Sequence, residues 1–172
     1  MTLFMGTHQN RIDAKGRVSV PAPFRAALRA ANGSANGGSG AEGGEVGEII
    51  LRPSHKLPCL EGWPPSRFHA LATPLARLDL FSDDHDDLAA ALYPDAYPID
   101  PDKEGRIVLP ADLTAHAGLT DAVAFMGVGP YFQIWEPAAA ARRRDEARAR
   151  ARNIALPGNG RANNGPPGGG AS

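Results

Sequence analysis

Asp13-Ala14-Lys15-Gly16-Arg17-Val18-Ser19-Val20-Pro21-Ala22, near the start of the chain, returns as Asp102-Lys103-Glu104-Gly105-Arg106-Ile107-Val108-Leu109-Pro110-Ala111. The two stretches stand at a constant offset of 89 residues, with Asp, Gly, Arg, Pro and Ala in phase and apolar residues at matching places. A repeat of this kind says that one structural unit has been used twice, and it constrains the fold before any single element is assigned. Each copy is a short turn with a cation at its tip.

In the first copy, residues 7–20 alternate and break at Ala14-Lys15-Gly16, which reads as a three-residue hairpin loop. Gly16 supplies the left-handed conformation such a bulge requires. The period of two puts Val18 and Val20 on one side and Arg17 and Ser19 on the other. Pro21 ends the strand, and the spacing predicts a helix from Pro23 to Ala31 with Phe24, Ala27 and Leu28 as its buried stripe. Residues 32–47 are rich in Gly, Ser and Asn and read as an inserted mobile loop. Strands follow at Glu48–Arg52 and near Cys59–Trp63. Two helical stretches come next. One runs from about Pro65 to Leu78 and is kinked or split at Pro74. The other runs from Asp83 to Leu92 behind a Ser82 cap. The second copy repeats strand, turn and strand, with a helix Ala111–Ala117 stopped by Gly118. A closing hairpin spans Val123–Val128 and Tyr131–Trp135, and Pro137–Asn153 reads as an Ala/Arg-rich helix.

These elements give an α+β chain divided into repeat 1 (7–55, with the insert at 32–47), a helical connector (56–95), repeat 2 (96–139), a C-terminal helix (140–156) and a disordered tail (157–172). The tail is too poor in apolar residues to bury a core of its own. About the first 155 residues carry enough apolar pattern to do so.

Composition narrows the function classes. The 172 residues contain one cysteine, so no internal disulfide is available and a reducing compartment fits. Residues 1–10 lack the basic start and apolar stretch of a signal peptide, and no apolar run approaches about 20 residues. The expectation is a soluble cytoplasmic protein. Net charge is only −1, but it is unevenly spread. Residues 1–30 hold Arg11, Lys15, Arg17, Arg25 and Arg29 against Asp13, a balance of +4. Residues 31–136 carry −10 and residues 137–172 carry +5. A basic leading unit on an acidic body can approach phosphate while the remainder stays away.

Other clusters carry less. Asp83-Asp84-His85-Asp86-Asp87 lacks the calcium-loop pattern, and acids in a first helical turn are favoured by the helix dipole. His55 and Cys59 are four apart with no second pair to complete a zinc site, so Cys59 reads as a small core residue. The arginines at 142–144 and 148–152 read as the solvated face of an Ala-rich helix, with a second nucleic-acid surface as the alternative. No nucleophile is paired with a base and no cofactor loop is present, so neither an enzyme nor a cofactor or metal protein is expected.

The paired Asp-x-x-Gly-Arg turns, the Val-Pro-Ala and Leu-Pro-Ala strand endings and the helices behind them resemble the SpoVT/AbrB-like swapped-hairpin domain. Two copies in one chain, with Ala117-Gly118-Leu119 and the strand Phe132-Gln133-Ile134-Trp135-Glu136, make residues 3–140 similar to the MraZ family of transcriptional regulators. The resemblance implies a duplicated swapped-hairpin β-barrel with an internal pseudo-twofold and a nucleoid-associated, homo-oligomeric ring. It also implies binding to direct repeats of double-stranded DNA upstream of the cell-division and cell-wall gene cluster.

The candidate DNA contacts are Arg11, Lys15, Gly16, Arg17, Arg25, Lys103 and Arg106. Asp13 and Asp102 are expected to orient the arginines, because a guanidinium fork accepts a bidentate carboxylate. An oriented Arg can read guanine through O6 and N7. Copy two departs from copy one: Glu104 replaces Lys15, Thr114 replaces Arg25, and Ile99-Asp100 resembles Ile12-Asp13. Either Asp100 or Asp102 can therefore partner Arg106. The alternative function is that of an AbrB-like antitoxin or protein-interaction module.

Overall fold

A computed structural model describes residues 2–35 and 46–158; most of the Gly-rich insert (36–45) and the tail from 159 onward lie outside the described residues. The strands are β1 (Thr7–Arg11), β2 (Arg17–Ser19), β3 (Ile49–Pro53), β4 (Leu60–Trp63), β5 (Tyr97–Ile99), β6 (Arg106–Val108), β7 (Ala122–Gly127) and β8 (Phe132–Trp135). The helices are α1 (Ala22–Ala35), α2 (Pro65–His69), α3 (Ala72–Leu75), α4 (Asp83–Leu92), α5 (Ala111–His116) and α6 (Pro137–Ala151). None of the helices among these residues is long and apolar enough to cross a membrane.

Six strands form one antiparallel sheet in the order β1-β7-β8-β4-β3-β5, while β2 and β6 pair only with each other. The order places the first strand of each copy beside the third strand of the other: β1 on β7 and β5 on β3. The centre falls at β4 and β8, where Glu61 stands opposite Gln133. The same side-chain device occurs on both sides of it. Trp63 Nε1 donates to Glu61 Oε1 at 3.0 Å, and Trp135 Nε1 donates to Gln133 Oε1 at 2.9 Å.

Two expectations are corrected here. The sheet is open, with β1 and β5 at its edges, so the described residues form no closed barrel. Nor do β1 and β2 pair as a hairpin. The turn between them closes, but the strands then diverge to different partners, and Asn10 Nδ2 reaches the Ser19 carbonyl at 2.6 Å where ladder bonds would run.

The main core lies between the inner face of the sheet and a cover made of the β2–β6 pair, α1 and α5. From the sheet come Ile49, Leu51, Leu60, Val123, Phe125, Phe132 and Ile134; from the cover come Val18, Val20, Ile107, Leu109, Phe24, Ala27, Leu28, Leu113 and Ala117. Val18 and Val20 are buried and Arg17 and Ser19 face outward, in keeping with the strand alternation. The opposite face is covered by α6 over Cys59, Ala124, Met126 and Trp135, and by α2 over Ile50 and Trp63. That face also holds a buried ion pair, Arg52 Nη1 to Glu61 Oε1 at 2.7 Å. Arg52 Nη2 lies 3.2 Å from His55 Nδ1 and donates to the Ala91 carbonyl at 3.1 Å, so the pair's desolvation is offset by further hydrogen bonds.

Two helix boundaries differ from the sequence reading. Helix α1 runs on to Ala35, into the stretch read as loop, and Asn32 Nδ2 there donates to the Val46 and Glu48 carbonyls at 2.8 and 3.3 Å. The break in the 65–78 stretch comes at Ala70–Leu71 and not at Pro74, which sits within the first turn of α3 where no N–H partner is required.

Candidate nucleic-acid interface

The repeat builds the same turn twice. Asp13 N–H donates to the Arg17 carbonyl at 2.9 Å and Gly16 N–H to the Asp13 carbonyl at 3.0 Å; Asp102, Arg106 and Gly105 do the same at 2.8 and 3.0 Å. Both closures put the glycine at positive φ, +76° for Gly16 and +78° for Gly105, where a side chain is strained.

Each aspartate divides its work between its two oxygens. Asp13 Oδ1 accepts the Lys15 and Arg17 amides, both at 2.9 Å, and Oδ2 accepts Arg17 Nε at 2.7 Å. Asp102 Oδ1 accepts the Glu104 and Arg106 amides at 2.9 Å, and Oδ2 accepts Arg106 Nε at 2.9 Å. Asp102, not Asp100, is thus the carboxylate that meets Arg106. The backbone N–H of Arg17 holds the Asp13 carboxyl below the usual carboxylate range, with the Arg17 side chain and Lys15 amide adding to it. The Arg106 amide does the same for Asp102, and Asp102 in turn raises Arg106.

The pairing is not the bidentate fork expected from sequence. With Oδ1 spent on amides, the carboxylate holds Nε alone and makes no hydrogen bond to the two terminal nitrogens. For Arg17 no acceptor among the described residues takes them. For Arg106, Nη2 lies 3.3 Å from Glu104 Oε2, because position 104 is acidic where position 15 is Lys.

The β2–β6 register brings the two turns together. Arg17 stands opposite Val108, Val18 opposite Ile107 and Ser19 opposite Arg106. Val20 N–H donates to the Gly105 carbonyl at 2.9 Å and Leu109 N–H to the Gly16 carbonyl at 3.0 Å. Every one of these pairs maps onto its counterpart under the 89-residue offset. With Val18 and Ile107 buried, the outer face carries Arg17, Ser19, Arg106 and Val108. The two arginines are diagonal neighbours there, with Cα atoms about 7–8 Å apart. Ser19 and Val108 were not among the residues singled out. Their alternation was visible in the sequence, but the pairing that makes them neighbours was not.

The remaining candidates lie elsewhere. Lys15 is exposed at the first tip and Lys103 at the second. Arg11 is exposed at the end of β1, on the edge of the large sheet. Arg25 leaves the first turn altogether. From α1 it donates Nη1 to the Val20 carbonyl at 3.0 Å and lies over Gly105 of the second turn. Arg25 and Lys103 also line a cleft of about 640 Å³ with Arg29, Asp100, Asp102 and Glu104. Its mixture of charges makes it neither an anion nor a cation site.

Comparison with known proteins falls on the same residues. The family model described as "MraZ protein, putative antitoxin-like" matches residues 3–35 and 92–150, which include both turns and the strand pair. The chain is 62% identical to the transcriptional regulator MraZ of Gluconacetobacter diazotrophicus, over 96% of this chain and 98% of that protein. It is 60% identical to the protein of the same name from Gluconobacter oxydans, over 90% and 88%. With that of Parvibaculum lavamentivorans it shares 41% identity over 87% and 86%.

Proposed function

This chain belongs to the MraZ family, and on that footing we propose that it regulates transcription by binding double-stranded DNA through the outer face of the β2–β6 pair. The observation that carries the reading is a two-stranded ribbon whose exposed side presents two arginines, each held at Nε by a carboxylate, with the terminal nitrogens of Arg17 taken by no acceptor among the described residues. A ribbon of two strands is of a size the major groove admits, and a guanidinium oriented in this way can meet guanine O6 and N7. Phosphate contacts fall to the exposed lysines at the tips, Lys15 and Lys103, and to Arg11.

Residues 7–55 and 96–139 act in this reading as two swapped-hairpin units making a pseudo-dimer within one chain. The exchange of edge strands and the 89-residue correspondence of the turn hydrogen bonds support it. The target we assign is the set of short direct repeats upstream of the cell-division and cell-wall gene cluster, its own gene included, at the nucleoid. Several copies of the chain act together as a ring. A single ribbon brings few cations, and non-specific binding at physiological salt is typically about 10⁻⁴–10⁻⁶ M. Identical ribbons meeting evenly spaced repeats gain avidity on the order of 10²–10⁴.

The two arginines are unequal, because Glu104 occupies Arg106 while Lys15 leaves Arg17 unopposed. Arg17→Ala is expected to cost about 1–3 kcal/mol of specific binding, and Arg106→Ala less. Fluorescence anisotropy with DNA from upstream of its own gene, against a shuffled duplex at two salt concentrations, measures both. Parent protein that binds the two duplexes equally at both salts sinks the proposed function; equal losses in the two variants sink only the ranking.

A further inference from the structure

The two turns have the same internal bonds but different surroundings, and the difference comes from one helix position. Each helix follows its own strand, and β2 and β6 run antiparallel so that each ends beside the other copy's glycine. In the first copy that position is Arg25. Its Nη1 takes the carbonyl of Val20, the residue whose N–H already holds the Gly105 carbonyl. Its stem lies so close to Gly105 that a Cβ there would come within 2.5 Å of Arg25 Cδ. Gly105 is buried as a result. In the second copy the position is Thr114, whose hydroxyl donates to the Ala111 carbonyl of its own helix at 2.8 Å. Only the Leu109 carbonyl comes within 4 Å of the place where a Cβ on Gly16 would stand, and Gly16 is half-exposed.

We propose that Arg25 is a positioning residue: it clamps the second turn from the helix of the first copy, so that Arg106 is presented on a fixed anchor while the uncovered first turn adjusts to the bases it meets. The proposal rests on the DNA-binding reading given above, but its structural half stands apart from it. An arginine that bonds the carbonyl of Val20, whose N–H holds Gly105, and whose stem packs over that glycine limits the opening of the turn. The first turn has no such limit, and a contact that must fit varied base edges gains from the freedom. The asymmetry assigns the two copies different tasks although their sequences match at the motif itself.

Two variants test it: Arg25→Thr, which removes the clamp, and Thr114→Arg, which adds an arginine at the matching helix position of the second copy and gives up the Thr114–Ala111 hydrogen bond. Amide hydrogen exchange at Gly16 and Gly105 reports each turn, since both N–H groups are held by the motif aspartate's carbonyl. Arg25→Thr is expected to speed exchange at Gly105 about three- to tenfold, the range of one lost hydrogen bond, and to leave Gly16 unchanged. Thr114→Arg is expected to slow exchange at Gly16. On DNA, Arg25→Thr narrows the gap between specific and shuffled duplex while the dependence of log K on log salt keeps its slope. A slope reduced by about one marks Arg25 as a direct phosphate contact and overturns the positioning role, as does unchanged exchange at Gly105. Exchange that follows the expectation in a protein that binds no duplex leaves the clamp standing and removes the DNA reading instead.

Discussion

Asp13 spends one carboxylate oxygen on backbone amides and the other on a side chain, and the split governs how the site responds to acid. Because the folded chain holds Asp13 and Asp102 below the ordinary carboxylate range, both stabilise the turns fully above the unfolded value of about 3.9. That contribution is lost as the pH falls through the lower folded values. The double variant Asp13→Asn, Asp102→Asn is therefore expected to melt below the parent at pH 7, with the difference shrinking as the pH drops under about 4. Thermal unfolding followed by circular dichroism across that range checks it; a difference that persists unchanged into acid would place the stabilisation elsewhere. At this scale the motif was legible, since Asp-x-x-Gly-Arg has the spacing of a self-closing turn. The partner of Arg106 was not, because Asp100 and Asp102 are both within reach along the chain and only the fold of the turn decides between them. The packing of Arg25 was hidden for the same reason: its neighbour in sequence is one turn, and its neighbour in space is the other.

Elements were readable where their signals are local. Ser82 caps α4 by accepting the His85 amide at 3.2 Å, and Asp83, Asp84 and Asp86 fill the first turn, where the helix dipole favours them. Removing the cap with Ser82→Ala is expected to cost about 1 kcal/mol, or about 2–4 °C in melting temperature for a chain of this size, with DNA affinity unchanged. Differential scanning calorimetry beside a binding titration separates the two effects. Helix α6 uses a similar device, with Glu136 accepting the Ala138 and Ala139 amides at 3.0 and 2.8 Å, and those amides hold its carboxyl below the usual range. What local pattern could not supply was pairing. A three-residue strand such as β2 or β6 carries too few side chains to specify a partner, so the expected hairpin gave way to a ribbon across the two copies. The extension of α1 through Asn32–Ala35 runs against the loop preference of Asn32, Gly33 and Ser34, and the tertiary bonds from Asn32 to the returning chain outweigh it.

For the whole molecule, the order β1-β7-β8-β4-β3-β5 means that neither repeat completes its own share of the sheet. A fragment of residues 1–95 lacks the partners of β1 and β2 and keeps β3 and β4 only as a pair, without β5 and β8 on either side. It is expected not to fold alone, and to regain structure when mixed with residues 96–172. Cys59 gives the readout. It is fully buried, and desolvation pushes its thiol up to about 12, so the intact protein is expected to resist thiol reagents at pH 7–8. Rapid labelling of the fragment, and protection on adding its complement, would bear this out; a fragment whose Cys59 stays unreactive would show that one repeat suffices. The barrel expected from resemblance failed at this scale, since closure depends on how edges meet and no motif records that.

The traded edge strands have a consequence for how such a chain can change over time. Neither half owns a private interior, so a substitution in the shared middle is felt by both at once. Outward positions are under no such joint veto. Lys15 against Glu104 sits on that freer ground, and so one pattern carries two dissimilar fingertips.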